Sequence, residues 1–210
     1  LFNGCSSLVN PGDLSGISVV SASMFNACSS LVNITGLYNV TYVTYNAFSY
    51  CSKLQTVDLS SKCTYIGNQA FANCTALTSV GDLSGITKID GGTLENCYQL
   101  TSVNLSNKCT YIGSFNNCIK LTSIGDTSGI TEISNFALSK TIIESISFPA
   151  IIKMGNGVFE QCSKIKNVTI GANIISIGIN CFINCPLLMY VIINAITPPT
   201  LGSNLAFGGS

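Results

Sequence analysis

A period of twenty-three residues constrains this chain more than any other feature it has. Displacing the sequence against itself by that interval superimposes Phe2, Phe25, Phe48 and Phe71, and the column continues through Leu94, Phe115, Phe159 and Phe182. Three residues after each stands a cysteine: Cys5, Cys28, Cys51, Cys74, Cys97, Cys118, Cys162 and Cys185. Three further on stands Leu8, Leu31, Leu54, Leu77, Leu100, Leu121, Ile165 or Leu188. A unit this short cannot bury its own apolar edge, whereas stacked copies place like residues on like and share one core. The expectation is a repeat solenoid of about nine coils, with residues 1–210 forming a single elongated domain.

Within each coil the Leu-x-x-Val-x-Leu run sets its last two apolar residues two apart, which puts both on one face of a short strand. The inward column is Ile34, Val57, Val80, Val103, Ile124, Ile146, Val168 and Val191, β-branched as a half-buried strand prefers. A second column, Val20, Val43, Ile66, Ile89, Ile112, Ile133, Met154 and Ile177, marks a second short extended segment. The Ala-Phe-x-x-Cys piece lacks alternation and follows small polar residues, so it reads as a turn with one helical turn. Val57, Val80 and Val103 are expected to stack in one parallel sheet, and Phe48, Phe71 and Phe115 in the loop layer. Units such as Val80-Gly81-Asp82-Leu83 hold one residue more than Val57-Asp58-Leu59, which implies a bulge. The coil over 137–154 lacks the cysteine and is expected to be the least regular. Phe148-Pro149 ends a strand, because proline has no N–H to donate. Leu205-Ala206-Phe207 opens one last partial unit, and a chain that starts inside a repeat reads as a fragment.

The pattern Ile-Gly-x-x-Ala-Phe-x-x-Cys-x-x-Leu-x-x-Val-x-Leu, carried by Ile66 to Leu83 with one insertion, and Thr197-Pro198-Pro199-Thr200-Leu201 near the end, resemble leucine-rich repeats of the BspA type, found in bacterial and some protozoan surface proteins. The resemblance implies a right-handed leucine-rich-repeat superhelix, mainly β, with a parallel sheet on its concave side. It also implies display outside the cell, attachment to a host or microbial surface or matrix protein, and no catalytic residues. End caps are lacking here, which leaves end-to-end self-association open.

Composition removes several other classes. Nine lysines balance nine acidic residues with no arginine or histidine, so the basic face that nucleic acid requires is missing. No apolar stretch approaches the roughly 18 to 20 residues of a membrane span. Without histidine, neither a cysteine nor a serine nucleophile has its usual base, and a zinc site would need four thiolates from separate coils. Eleven cysteines therefore read as packing residues with no metal or cofactor. In-register stacking keeps their Cα–Cβ vectors parallel, a poor geometry for disulfides, so all are expected to be free and nearly all buried. Asp82 and Asp126 recur in Gly-Asp-x-Ser-Gly bends, where a carboxylate caps a turn.

Two surfaces are candidates for binding. The concave face presents Thr56, Asp58, Ser79, Ser102, Asn104, Ser123, Asn167, Thr169 and Tyr190. The alternative is a stripe of Tyr42, Tyr65 and Tyr111, with Lys88 in the same column; tyrosine supplies contact area at low entropic cost. Asn-x-Ser/Thr sites stand at Asn33, Asn39, Asn73, Asn104 and Asn167. The reading is a non-enzymatic extracellular adhesion module; the alternatives are a structural spacer solenoid or, less favoured, a carbohydrate-active one.

Overall fold

A computed structural model describes residues 1–202, and the partial unit expected at Leu205-Ala206-Phe207 lies outside the described residues. The chain winds as a parallel β-solenoid with two alternating sets of strands. One set has two residues per coil: β1 (Val19–Val20), β3 (Tyr42–Val43), β5 (Tyr65–Ile66), β7 (Lys88–Ile89), β9 (Tyr111–Ile112), β11 (Glu132–Ile133), β13 (Lys153–Met154), β15 (Ser176–Ile177) and β17 (Thr200–Leu201). These pair in sequence as one nine-stranded sheet. Nine stacked strands enclose about eight full turns, one fewer than the repeat count implied.

The Leu-x-x-Val-x-Leu runs supply the other set: β2 (Asn33–Ile34), β4 (Thr56–Leu59), β6 (Ser79–Gly81), β8 (Ser102–Leu105), β10 (Ser123–Gly125), β12 (Ser145–Phe148), β14 (Asn167–Ile170) and β16 (Tyr190–Ile193). Here the expected single sheet is corrected. The strands form three ladders, β2-β4-β6, β8-β10 and β12-β14-β16, so Val57 and Val80 share a ladder while Val103 lies in the next. Each of the first two ladders ends on a coil that carries the extra residue. Gly81 and Gly125 sit there at φ +80° and +86°, and the register shifts between Thr56/Leu59 and between Ser123/Gly125. The inserted residue turns the strand away, so its far edge no longer lines up with the next coil.

The Phe-x-x-Cys segment is not helical, against expectation; no helix occurs among the described residues. Left-handed residues flank the phenylalanine on both sides, two before it (Ser23, Asn46, Gln69, Asn180) and two after it (Ala27, Tyr50, Asn73, Asn96, Asn117, Asn184). A right-handed helix cannot run through such a residue, and asparagine tolerates the region better than most side chains. Phe25, Phe48 and Phe71 stack with ring centroids 5.2 and 5.1 Å apart. Leu94 then separates Phe71 from Phe115, which is buried in the column without a ring neighbour of that series. In the stretch 137–154, Leu138 takes the phenylalanine position, its N–H donating to Val158 as Phe115 donates to Ala137. Thr141, fully buried, stands where the cysteine would be.

Candidate binding faces

Seven of the eight column cysteines, all but Cys5, hold a carbonyl. Cys28, Cys51, Cys74, Cys97, Cys118, Cys162 and Cys185 donate Sγ–H to the carbonyls of Phe2, Phe25, Phe48, Phe71, Leu94, Leu138 and Phe159 of the preceding coil, at 3.0–3.3 Å. All eleven cysteines are free thiols; ten are buried and Cys5 is exposed. Burial in apolar surroundings pushes the thiols of Cys51, Cys118 and Cys162 up to about 12 and those of Cys63, Cys109 and Cys181 to about 11. Nucleophilic chemistry needs the thiolate, so these groups serve as structural donors.

On the long-strand face, the nine candidate residues fall on three separate ladders. Several spend their polar atoms on the fold itself. Asp58 accepts from the backbone N–H groups of Gly36 and Leu37, each at 3.1 Å, and so closes the bend of the preceding coil. Asn104 repeats the arrangement, accepting from Leu83 N–H at 2.9 Å and donating to Asp82 at 2.8 Å. Ser79 and Ser123 accept from Gly81 and Gly125 at the bulges, at 3.2 and 3.3 Å. Thr56 donates to Asn33 at 2.7 Å and Asn167 to Ser145 at 3.2 Å. Ser102 is exposed and Thr169 half-buried, while Tyr190 is 63% exposed beside Ile192 at 51%. Asp82 and Asp126 are held below the usual carboxylate range, chiefly by the backbone N–H groups of Ser84 and Ser128.

The tyrosine stripe lies on the nine-stranded sheet, where parallel register sets Tyr42, Tyr65, Lys88, Tyr111, Glu132 and Lys153 in one outward column. Tyr42 and Tyr65 have ring centroids 6.3 Å apart. Asp90 ties the next steps together: it accepts from the Tyr65 hydroxyl and pairs with Lys88 at 2.9 Å, whose Nζ lies 5.0 Å above the Tyr111 ring. Those bonds to Asp90 raise both Tyr65 and Lys88. A groove of about 560 Å³ runs beside Tyr65, between Val19, Ser21, Ala22, Thr44, Tyr45 and Asn68. Sequence reasoning had Lys88 in the column but missed Asp90 and Tyr45. The signal for Asp90 was its place two residues after Lys88, which sets both side chains on one side of the strand line.

The geometry defines a parallel-stacked repeat solenoid with two outward polar faces and a core of column residues. BspA type leucine-rich repeat regions match residues 1–114 and 88–205, in 6 copies, and the chain belongs to that family. Among solved structures, it is similar to a leucine-rich repeat protein from Bacteroides ovatus at 23% identity and TM-score 0.74, over 91% of this chain and 56% of that one. It is also similar to a leucine rich cell surface protein from Faecalibacterium prausnitzii at 23% identity and TM-score 0.56, over 98% of this chain and 63% of that one. A leucine-rich repeat protein of T. pallidum matches at 22% identity and TM-score 0.52, over 74% of this chain and 63% of that one. At such identities the likeness is one of fold, and this chain spans about three fifths of each relative's length. No curated protein matches the chain.

Proposed function

We propose that the chain is a non-catalytic binding module of a larger surface protein, attaching outside the cell to a host or microbial surface or matrix protein through the long-strand face. The observation that carries the reading is the repetition of that face. Hydroxyl side chains recur coil after coil at Thr56, Ser79, Ser102 and Ser123, which suits a contact spread over many similar positions. Family membership supports it, as does the F. prausnitzii relative described as a cell surface protein. Non-catalytic action is supported by the turn-bound state of Asp82 and Asp126 and by the raised thiols.

The test replaces Thr56, Ser102 and Thr169 together with lysine and leaves Asp58 and Asn104 in place, because those two hold bends. Binding to immobilised matrix proteins is expected to fall below detection with an unchanged circular dichroism spectrum. Retained binding would move the contact to the tyrosine stripe, which the groove beside Tyr65 favours as a second reading; Tyr42→Ser with Tyr65→Ser would then abolish it.

A further inference from the structure

Along the long-strand face, coils within one ladder are joined by a backbone bond at the strand entry. Thr78 N–H reaches Gln55 C=O at 2.9 Å, Thr122 reaches Thr101 at 2.9 Å, Lys166 reaches Glu144 at 2.7 Å and Met189 reaches Lys166 at 2.8 Å. The corresponding bond is missing at both interrupted steps, from Thr101 to Thr78 between β6 and β8 and from Glu144 to Thr122 between β10 and β12, where the strands do not pair. No Cα of β10 lies within 8 Å of a Cα of β12, whereas paired strands sit about 4.8 Å apart. At the other interrupted step, β6 and β8 stay within that distance, and the Asn104 side chain spans them. The residue of β12 that corresponds to Asp58 and Asn104 is Ser147, whose side chain is too short to make the span.

The result is a slot of about 180 Å³ between Ser123, Gly125 and Thr127 on one wall and Ser145 and Ser147 on the other. Its walls are fixed from behind, where β9, β11 and β13 stay paired. Ile142 N–H bonds Leu121 C=O at 3.1 Å at one end, and the Thr127 hydroxyl donates to the Ser147 carbonyl at the other. The opening is therefore preformed.

We propose that this slot binds a short extended polypeptide segment, about three residues long and small in side chain, as an additional strand between β10 and β12. Two strands that flank a third stand about twice 4.8 Å apart, and strand edges without a neighbouring strand are templates for another chain's backbone; here the incoming backbone would displace the Ser123 hydroxyl from Gly125 N–H and the Thr127 hydroxyl from the Ser147 carbonyl. Buried Ile124 and Ile143 close its floor, so bulky inward side chains are excluded. The mouth carries both signs of charge, Glu144 paired with Lys166 at 2.8 Å and Lys164 beside it, which favours an uncharged segment. The proposal shares with the reading above the premise that the ligand is a polypeptide.

The probe is the peptide Gly-Ala-Ser-Ala-Gly, titrated into the ¹⁵N-labelled protein. Saturable shifts are expected at the amides of Ser123, Gly125, Ser145 and Ser147. The same peptide with alternate backbone nitrogens methylated is expected to bind roughly tenfold more weakly or worse, because its donors are gone. Ser147→Asn, which restores the spanning side chain, is expected to weaken binding to a similar degree without lowering the urea midpoint, and Ser147→Ala to retain binding. Absence of saturable shifts, equal binding by the methylated peptide, the same shifts with glucose, or full binding by Ser147→Asn would each overturn the slot. Matrix binding that persists while the peptide fails removes the slot alone; peptide shifts in a protein that adheres to nothing remove the adhesive reading alone.

Discussion

The column thiols from Cys28 to Cys185 share one job, to hold the carbonyl of the coil before. The carbonyl keeps a second donor from its own coil, as Cys51 N–H to Phe48 C=O at 3.1 Å, so removing the thiol costs one hydrogen bond, about 0.5–1.5 kcal/mol, and leaves a small cavity. Cys74→Ala is therefore expected to lower the urea midpoint; threonine fits the column at buried Thr141, where its hydroxyl donates to Leu138 of its own coil at 2.8 Å. Raised thiols also set the alkaline limit. The unfolded thiol ionises near 9.0 while folded Cys51, Cys118 and Cys162 hold their protons to about 12. Their contribution is thus intact below pH 9 and withdrawn as pH rises from 9 towards 12, at about 1.4 kcal/mol per pH unit for each thiol. Thermal melts are expected to be flat from pH 7 to 9 and to fall steeply above; a flat profile to pH 11 would contradict the buried column. Thiol titration is expected to find one fast group, Cys5, in the native protein and eleven after denaturation without reductant. The cysteine column was legible because its spacing repeats. Thr141 and Leu138 were not, since nothing in a Leu-x-x-Thr run marks it as a Phe-x-x-Cys position until its backbone bonds are seen. The roles of Asp58 and Asn104 were hidden for a related reason, their partners being backbone groups about twenty residues away.

A strand survives in this fold only where its coil keeps the register of the next, and the glycine bulges decide that. Gly125 has φ +86°, and a side chain there would overlap the Leu105 backbone. Gly125→Ala is expected to cost roughly 2 kcal/mol or more, whereas Gly16→Ala, with no atom within 4 Å, is expected to stay within about 0.5 kcal/mol; urea melts of the two compare them. Core strands behave differently from their outward neighbours. Leu77→Ala is expected to cost about 2 to 5 kcal/mol and Ser102→Ala little, and equal losses would contradict the assigned faces. The bulge itself could be read from the extra residue in Val80-Gly81-Asp82-Leu83. Its consequence could not, because whether the following strand still pairs depends on the direction in which the bulged edge turns. The left-handed residues around each phenylalanine escaped notice because Asn, Gln, Ser and Tyr share those columns and only their backbone angle is common to them.

Each coil touches only its neighbours, so stability is expected to sum over coils and interfaces. Deleting residues 48–70 would bring Phe71 onto Phe25 with every column in register. The shortened protein is expected to fold with the same mean residue ellipticity and a smaller denaturant m-value. The solenoid was legible as a whole because one period governs nearly every position. The binding surface was not, since a repeated face shows where contact is available without showing what fills it. The nine-stranded sheet has a further mechanical consequence. Its hydrogen bonds point along the stacking axis, so a pull between the two ends of the stack loads them one coil at a time, as a zipper is opened, and never shears many together. A coil that peels away under tension releases about 23 residues, or roughly 76–83 Å of chain at about 3.3–3.6 Å per residue, where it had occupied one strand spacing. A tether built this way would absorb a sudden load by lengthening in steps and rewind when the load falls.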